Sequence, residues 1–200
     1  MERKERTRRA ILDTALDLSA DTSLVAVSLR QVAKDVGIVP TAFYRHFASI
    51  EALGLELVDE SFASLRAVLR DVRRPDPSLK ELIDGSVDVL AEHVDARRAH
   101  FGFIARERVA GPPAVREAVR HQIELVEREL ATDIARIPGT ENWSADDLRV
   151  LSKLMVTSMV ATAEMLIVAP RPEAETEIKD SARTQLRMVL VGAVNWRSET

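Results

Sequence analysis

SLRQVAKDVGIVPTAFYRHFASIEAL, Ser28–Leu53, is the stretch whose reading decides the fold. Ser28-Leu29-Arg30-Gln31 has the form of a capping box. The serine hydroxyl accepts from the third helical N–H, and the glutamine reaches back to the cap. The helix it opens is short, Leu29–Val36, with Leu29, Val32 and Val36 turned inward. Gly37 stands where a helix exit calls for a left-handed residue. Pro40-Thr41 then opens a third short helix through Phe47, since proline suits a first helical turn. On it Phe43 and Phe47, four apart, face inward, while Thr41, Tyr44, Arg45 and His46 face outward. Ser49 caps a long helix that begins Ile50-Glu51-Ala52-Leu53. Two short helices joined by a tight glycine-containing turn make a helix-turn-helix. A tyrosine and a histidine exposed beside an arginine suit contact with phosphates and base edges, so the spacing points to DNA.

The segment upstream agrees. A first helix runs from about Lys4 to Ser19, with Ile11, Leu12, Ala15, Leu16 and Leu18 on its apolar face. The first nine residues of the sequence carry Arg3, Lys4, Arg6, Arg8 and Arg9 against Glu2 and Glu5. Residues 1–50 have a net charge of +2 and residues 51–200 a net charge of −6, within a total of −4. A locally basic end on an acidic body fits a protein that touches a polyanion with one end only.

Downstream, the chain reads as helix throughout, with no period-2 strands. Proline and glycine fall at the seams: Pro75 and Pro77, Gly111-Pro112-Pro113, Pro138-Gly139 and Pro170-Arg171-Pro172. Val115, Val119, Ile123, Val126, Leu130, Ile134 and Ile137 recur at steps of three or four, the pattern of a long amphipathic helix. Ile178, Ala182, Leu186, Val189, Ala193 and Trp196 repeat it near the C-terminus. The expected fold is all-α with about nine helices. An N-terminal three-helix helix-turn-helix domain occupies residues 1–48, and a second helical domain residues 49–200.

Composition excludes several classes. Two hundred residues suffice for one sizeable core or two small ones. The absence of cysteine removes disulfides, zinc–thiolate sites, iron–sulfur clusters and cysteine nucleophiles. The start MERKERTRR has no apolar core of a signal peptide. Leu154–Ala169, the most apolar run, is interrupted by Glu164 and falls short of the roughly 20 apolar residues of a spanning helix. A soluble, cytoplasmic chain without a membrane partner is expected. His46, His93, His100 and His121 are scattered, and no glycine-rich phosphate loop, HExxH or GxSxG is present, so neither an enzyme nor a cofactor or metal is expected.

Ser28–Leu53 resembles the TetR family of transcriptional regulators. The likeness rests on Leu29, Val32-Ala33 and Gly37-Ile38, on Phe43-Tyr44-Arg45-His46-Phe47, and on Leu53. VPTAFYRHFASIEALGLELVDES, with Phe101–Arg108 (FGFIARER) and Gln185-Leu186-Arg187-Met188, is similar more narrowly to the FabR/DesT-type repressors of unsaturated fatty-acid synthesis, which sense long-chain acyl-CoA thioesters. The family resemblance implies that residues 49–200 are a ligand-binding and dimerisation domain, and that the protein is a homodimer on palindromic operator DNA, controlled by a small lipophilic effector. It implies that Arg30 can reach a guanine edge and that Pro40, Thr41 and Ala42 lie against bases. Tyr44 and His46 would then meet phosphates, and Arg3, Lys4, Arg6 and Arg8 would add phosphate or minor-groove contacts. Many family members carry a phosphate-contacting lysine where this chain has Ile50, leaving the Ser49 helix start to donate N–H groups there. With Ser28, Gln31 and Arg45 these residues complete the expected DNA-binding set.

For the effector, a tunnel wall of Phe62, Leu65, Leu69, Leu90, Val94, Phe101, Phe103, Ile104, Ile123, Met155 and Met159 is expected. Arg106 and Arg108 form a basic mouth for a phosphorylated head group. Ordinary helical core is the competing reading of the same residues. Two C-terminal helices are expected to dimerise as a four-helix bundle. One uses Leu148, Leu151, Thr162 and Leu166, together with Met155 and Met159. The other uses Leu186, Val189, Leu190, Ala193 and Trp196. The narrower likeness favours an acyl-CoA effector and control of fatty-acid metabolism. A repressor of an efflux pump or catabolic operon, sensing a lipophilic drug or metabolite, stays open beside it.

Overall fold

The computed structural model describes residues 2–72, 79–137, 140 and 142–198; among the helical residues, the side chains of residues 2, 64, 65, 67–72 and 79–82 are outside the description. The described residues form nine α-helices and no strand. They are α1 (Glu2–Leu18), α2 (Leu29–Val36), α3 (Pro40–Phe43), α4 (Ile50–Val72), α5 (Leu79–Ala96), α6 (Arg98–Ala110), α7 (Pro113–Ile134), α8 (Ala145–Ile167) and α9 (Pro172–Val194). The all-helical expectation holds.

The chain packs as two compact units, residues 1–64 with 97–121, and residues 65–96 with 122–200. The division falls inside α4 and α7. The first unit therefore takes in the start of α4 and all of α6, beyond the expected boundary at residue 48.

In the first unit α2 packs on α1 and on α3, and α1 also meets α6. Its core gathers Ile11, Leu12, Ala15 and Leu16 of α1 with Leu24, Val32, Ala33, Phe43, Phe47, Leu53, Leu57 and Val58, all buried. The turn between α2 and α3 depends on Gly37, at φ 75° and ψ 31°. Its N–H donates to Lys34 O at 3.0 Å, and the Ile38 N–H donates to Ala33 O at 2.9 Å. These bonds satisfy carbonyls that the helix end leaves open. A side chain at this φ costs about 1–2 kcal/mol. Gly37→Ala is expected to lower stability by about that much, read as a fall in Tm. No atom lies within 4 Å of the added methyl, so backbone strain is the cause.

The second unit brings α5, α8 and α9 together. Ile83 and Val87 of α5 meet Ala182 and Leu186 of α9, with Met155, Met159 and Leu190 packed against them. Arg183 of α9 fastens the same helices electrostatically, reaching Asp88 at 2.6 Å and Asp84 at 3.7 Å across to α5. Such half-exposed pairs add little individually, but one guanidinium here spans two turns of its neighbour.

This packing takes part of the expected dimer face into the core of the single chain. Leu151, Thr162, Leu166 and Leu186 are buried within the single chain, and Leu148, Val189, Leu190 and Ala193 are partly buried. Only Trp196 of that set stands exposed. What α8 leaves open is its opposite side. Val150, Leu154, Met165 and Val168 are exposed, with Thr157 and Ala161 on the same line at helical spacing. On α9, Met188, Val191 and Val194 are exposed. The sequence carries apolar residues on both faces of α8, and packing against α5 and α9 selects the inner one.

Three smaller differences have local causes. Helix α3 stops at Phe43, and Arg45 and His46 continue it with i→i−3 hydrogen bonds, a tighter 3₁₀-like winding. The Phe47 N–H still reaches Phe43 O at 3.1 Å, so the two phenylalanines keep one face. Helix α7 ends at Ile134, and Ile137 is exposed, because a residue preceding proline is pushed out of the helical region. Helix α8 has the length and composition to cross a membrane, contrary to the shorter run expected, yet its inner face is packed within the unit.

Candidate nucleic-acid interface

The geometry of the helix-turn-helix follows from its caps. Ser28 Oγ accepts from the Gln31 N–H at 3.0 Å, as the capping box requires. The return half is not made. Gln31 donates instead to the Asp35 carboxylate at 2.7 and 2.8 Å, a charged acceptor one turn along the helix. Val39 is extended (φ −74°, ψ 146°) and Pro40 takes the first turn of α3. Phe43 is completely buried, in a tilted contact with Phe47 at 5.8 Å between centroids and an edge contact with Tyr44 at 6.0 Å. With its ring anchored against Phe43, Tyr44 remains 59% exposed.

The surface thus presented carries Pro40, Thr41, Tyr44 and Arg45, all exposed, with Ala42 and His46 half-buried. Val39, 64% exposed, extends it. The sequence reading missed Val39 because an apolar residue beside a turn suggests core. Arg30 on α2, and Arg3, Lys4 and Arg6 on α1, are exposed as expected. Ser49 caps α4 by accepting from the Ala52 N–H at 3.0 Å.

Arg8 is used otherwise than the sequence suggested. Its guanidinium lies 4.3 Å from the centroid of Phe47, donates to His46 O at 2.8 Å and pairs with Glu56 of α4. It ties α1, the end of the reading segment and α4 together, which makes it a positioning group within the first unit. Beside it, His46 Nδ1 is buried with no hydrogen-bond partner among the described residues. Burial holds the imidazole below its ordinary pKa, helped by the positive charges of Lys4, Arg8 and Arg45. That field favours an anion at this surface.

The expected effector residues divide between the units. Phe62, Phe101, Phe103 and Ile104 are buried in the first. Leu90 and Val94 are buried in the second, where Ile123, Met155 and Met159 are half-buried. Leu65 and Leu69 fall on side chains outside the description. Arg108 is exposed. Arg106 departs from the basic mouth expected of it, donating to the carbonyls of Ser19 and Ala20 at the end of α1. Glu107, unremarked in the sequence reading, is the most buried charged-type residue described, at 0% exposure. No sequence signal separates it from the surface glutamates around it.

A helix-turn-helix reading head with a helical body defines a DNA-binding regulator. Comparison with known proteins agrees. The model for bacterial regulatory proteins of the tetR family matches residues 11–57. The model for the Tetracyclin repressor-like C-terminal domain matches residues 79–192. The fold resembles a transcriptional regulator of Rhodococcus sp. RHA1, with TM-score 0.73, 19% identity, and 92% of this chain and 96% of that one covered. It also resembles a TetR-family regulator of Agrobacterium tumefaciens, with TM-score 0.69, 15% identity, and 91% and 98% covered. A regulator of Aquifex aeolicus VF5 is similar at TM-score 0.67, 16% identity, and 92% and 99% covered. This chain belongs to the TetR family. It is a DNA-binding, ligand-responsive transcriptional regulator and not an enzyme.

Proposed function

We propose that the protein is a homodimeric repressor of a palindromic operator, acting in the cytoplasm and released or tightened by a small lipophilic effector. One observation carries the reading. The chain pairs an exposed α3 reading surface with an unpartnered apolar stripe along α8 and α9, Val150–Val168 and Met188–Val194. A second copy on that stripe would supply the second head that two successive major grooves require, roughly 34–36 Å apart. In this reading Val39, Pro40, Thr41 and Ala42 meet bases, where apolar surface suits thymine methyls, and Tyr44, Arg45 and His46 meet phosphates.

For the effector, the narrower likeness supports a long-chain acyl-CoA and control of fatty-acid metabolism. The engagement of Arg106 by Ser19 and Ala20 removes one cation from the head-group site imagined for it. That favours the second reading, a lipophilic drug or metabolite controlling an efflux or catabolic operon. Either ligand shifts DNA affinity only by its differential affinity for the two states, and about 1–3 kcal/mol of coupling gives a 5–150-fold change.

Fluorescence anisotropy tests both levels. Labelled DNA from upstream of the protein's own gene is expected to bind tightly, with affinity falling steeply as salt rises. Absence of binding at low salt would refute the repressor. Oleoyl-CoA or palmitoyl-CoA altering that affinity would establish the acyl-CoA effector. Indifference to both thioesters would reject it in favour of the drug or metabolite.

A further inference from the structure

The tip of α3 is apolar where a reading helix meets base edges. The N-terminal residues of such a helix are the ones that reach into the major groove. Here they are Val39, Pro40 and Thr41, all exposed, with Ala42 half-buried behind them. Val39 is extended, at φ −74° and ψ 146°, and 64% exposed. Pro40 at the first helical position has no N–H, so the tip also lacks one backbone donor. Of these four side chains only Thr41 carries a polar atom, a hydroxyl that donates or accepts.

Polar groups nearby are committed elsewhere. Reading adenine in a bidentate way takes both ends of an amide, a donor and an acceptor. Gln31 Nε2 already donates to both oxygens of Asp35, so its amide is not arranged for that task. Arg8 is held by His46 O, Glu56 and the Phe47 ring. Arg30, exposed on α2, keeps a guanidinium that fits a guanine edge. In the major groove thymine and cytosine differ in two ways. Thymine shows an O4 acceptor and a C5 methyl, whereas cytosine shows an N4 donor and no methyl. A hydroxyl that serves as donor or acceptor does not separate O4 from N4. The apolar surface of Val39, Pro40 and Ala42 does separate methyl from hydrogen.

We propose that the head reads the C5 methyl group of pyrimidines, so that each half-site sets thymine against Val39–Ala42 and accepts 5-methylcytosine in its place. The chemistry recognised is a methyl on a pyrimidine edge, whichever base carries it. Cytosine methylation inside the operator then strengthens binding at a position where a plain C·G pair weakens it. The inference rests on the repressor reading, which supplies the DNA but not the group that is read. Taking one methyl-sized group out of water is worth about fourfold in affinity.

Full-length protein decides it by anisotropy on duplexes of the site that it protects upstream of its own gene. One set replaces each half-site thymine with deoxyuridine, which removes the methyl and keeps the base pair. A second set replaces the same T·A pairs with C·G, and a third with 5-methylcytosine·G. Deoxyuridine at contacted positions is expected to weaken binding by about fourfold per methyl. C·G should weaken it at least as much, and 5-methylcytosine·G should regain about fourfold over C·G. Val39→Ala should shrink the deoxyuridine penalty at one thymine to under about twofold. Val39 is exposed, so that variant is expected to fold, with an unchanged circular dichroism spectrum. Equal affinity for thymine and deoxyuridine duplexes would overturn the proposal, as would C·G and 5-methylcytosine·G binding alike. A full penalty in Val39→Ala would overturn the role of Val39. Wild-type protein that binds none of the upstream DNA would overturn the repressor reading and this inference with it. Tight, salt-sensitive binding that is blind to the methyl would overturn this inference alone.

Discussion

A Leu154→Glu, Met165→Glu double variant will sediment as a monomer and bind the operator more than about 100-fold more weakly than wild type. Both side chains are exposed on the outer face of α8, in line with Val150 and Val168. A two-fold interface places each substitution twice, so four carboxylates would enter one apolar seam. Burying an unpaired charge costs several kcal/mol, enough to open a dimer. The subunit itself should survive, because exposed positions away from the core rarely change stability by more than about 0.5 kcal/mol. Analytical ultracentrifugation beside far-UV circular dichroism separates the two effects. A folded variant that remains dimeric would move the interface away from this stripe. Loss of one head from the complex explains the expected DNA defect, since the second half-site is then bound only from bulk solution.

Phe43→Ala should destabilise the first unit by about 3–5 kcal/mol, the usual cost of emptying a fully buried phenylalanine site. The ring contacts Phe47 and Tyr44, so its loss loosens the residues that shape the reading surface. Operator binding is expected to disappear with it. Trp143 and Trp196 both belong to the second unit. Tryptophan emission therefore reports that unit, whereas circular dichroism follows all helices. The variant should show an early dichroism transition with little change in emission. A loss of under about 1 kcal/mol would contradict the packing described for Phe43.

The same two regions show what a linear reading can and cannot reach. In the head, Ser28 caps Leu29–Val36, Gly37 adopts the left-handed exit, and Phe43 and Phe47 face inward, all as spacing implied. These features depend on residues within four or five positions of one another, and helical geometry converts such spacing directly into contact. Long polar side chains were less legible even there. Gln31 took Asp35 in place of its own cap, and Arg8 found His46 O and Glu56, 38 and 48 residues away.

In the body, sequence by itself determined that α8 and α9 are amphipathic helices but not which way they face. Helix α8 carries one apolar line through Leu151, Met155, Thr162 and Leu166 and another through Leu154, Ala161, Met165 and Val168. Periodicity gives the same signal for both. Packing within the unit, where Met155 meets Ile83, Val87, Ala182 and Leu186, buried most of the first line and left the second exposed. The fates of Arg106 and Glu107 were likewise settled only by tertiary structure, because their partners at residues 19–24 lie more than 80 positions away. Sequence determined the helices, their caps and the reading head, which are local. Tertiary packing decided which apolar face is core and which charged side chains are buried, because those depend on neighbours that no short window contains.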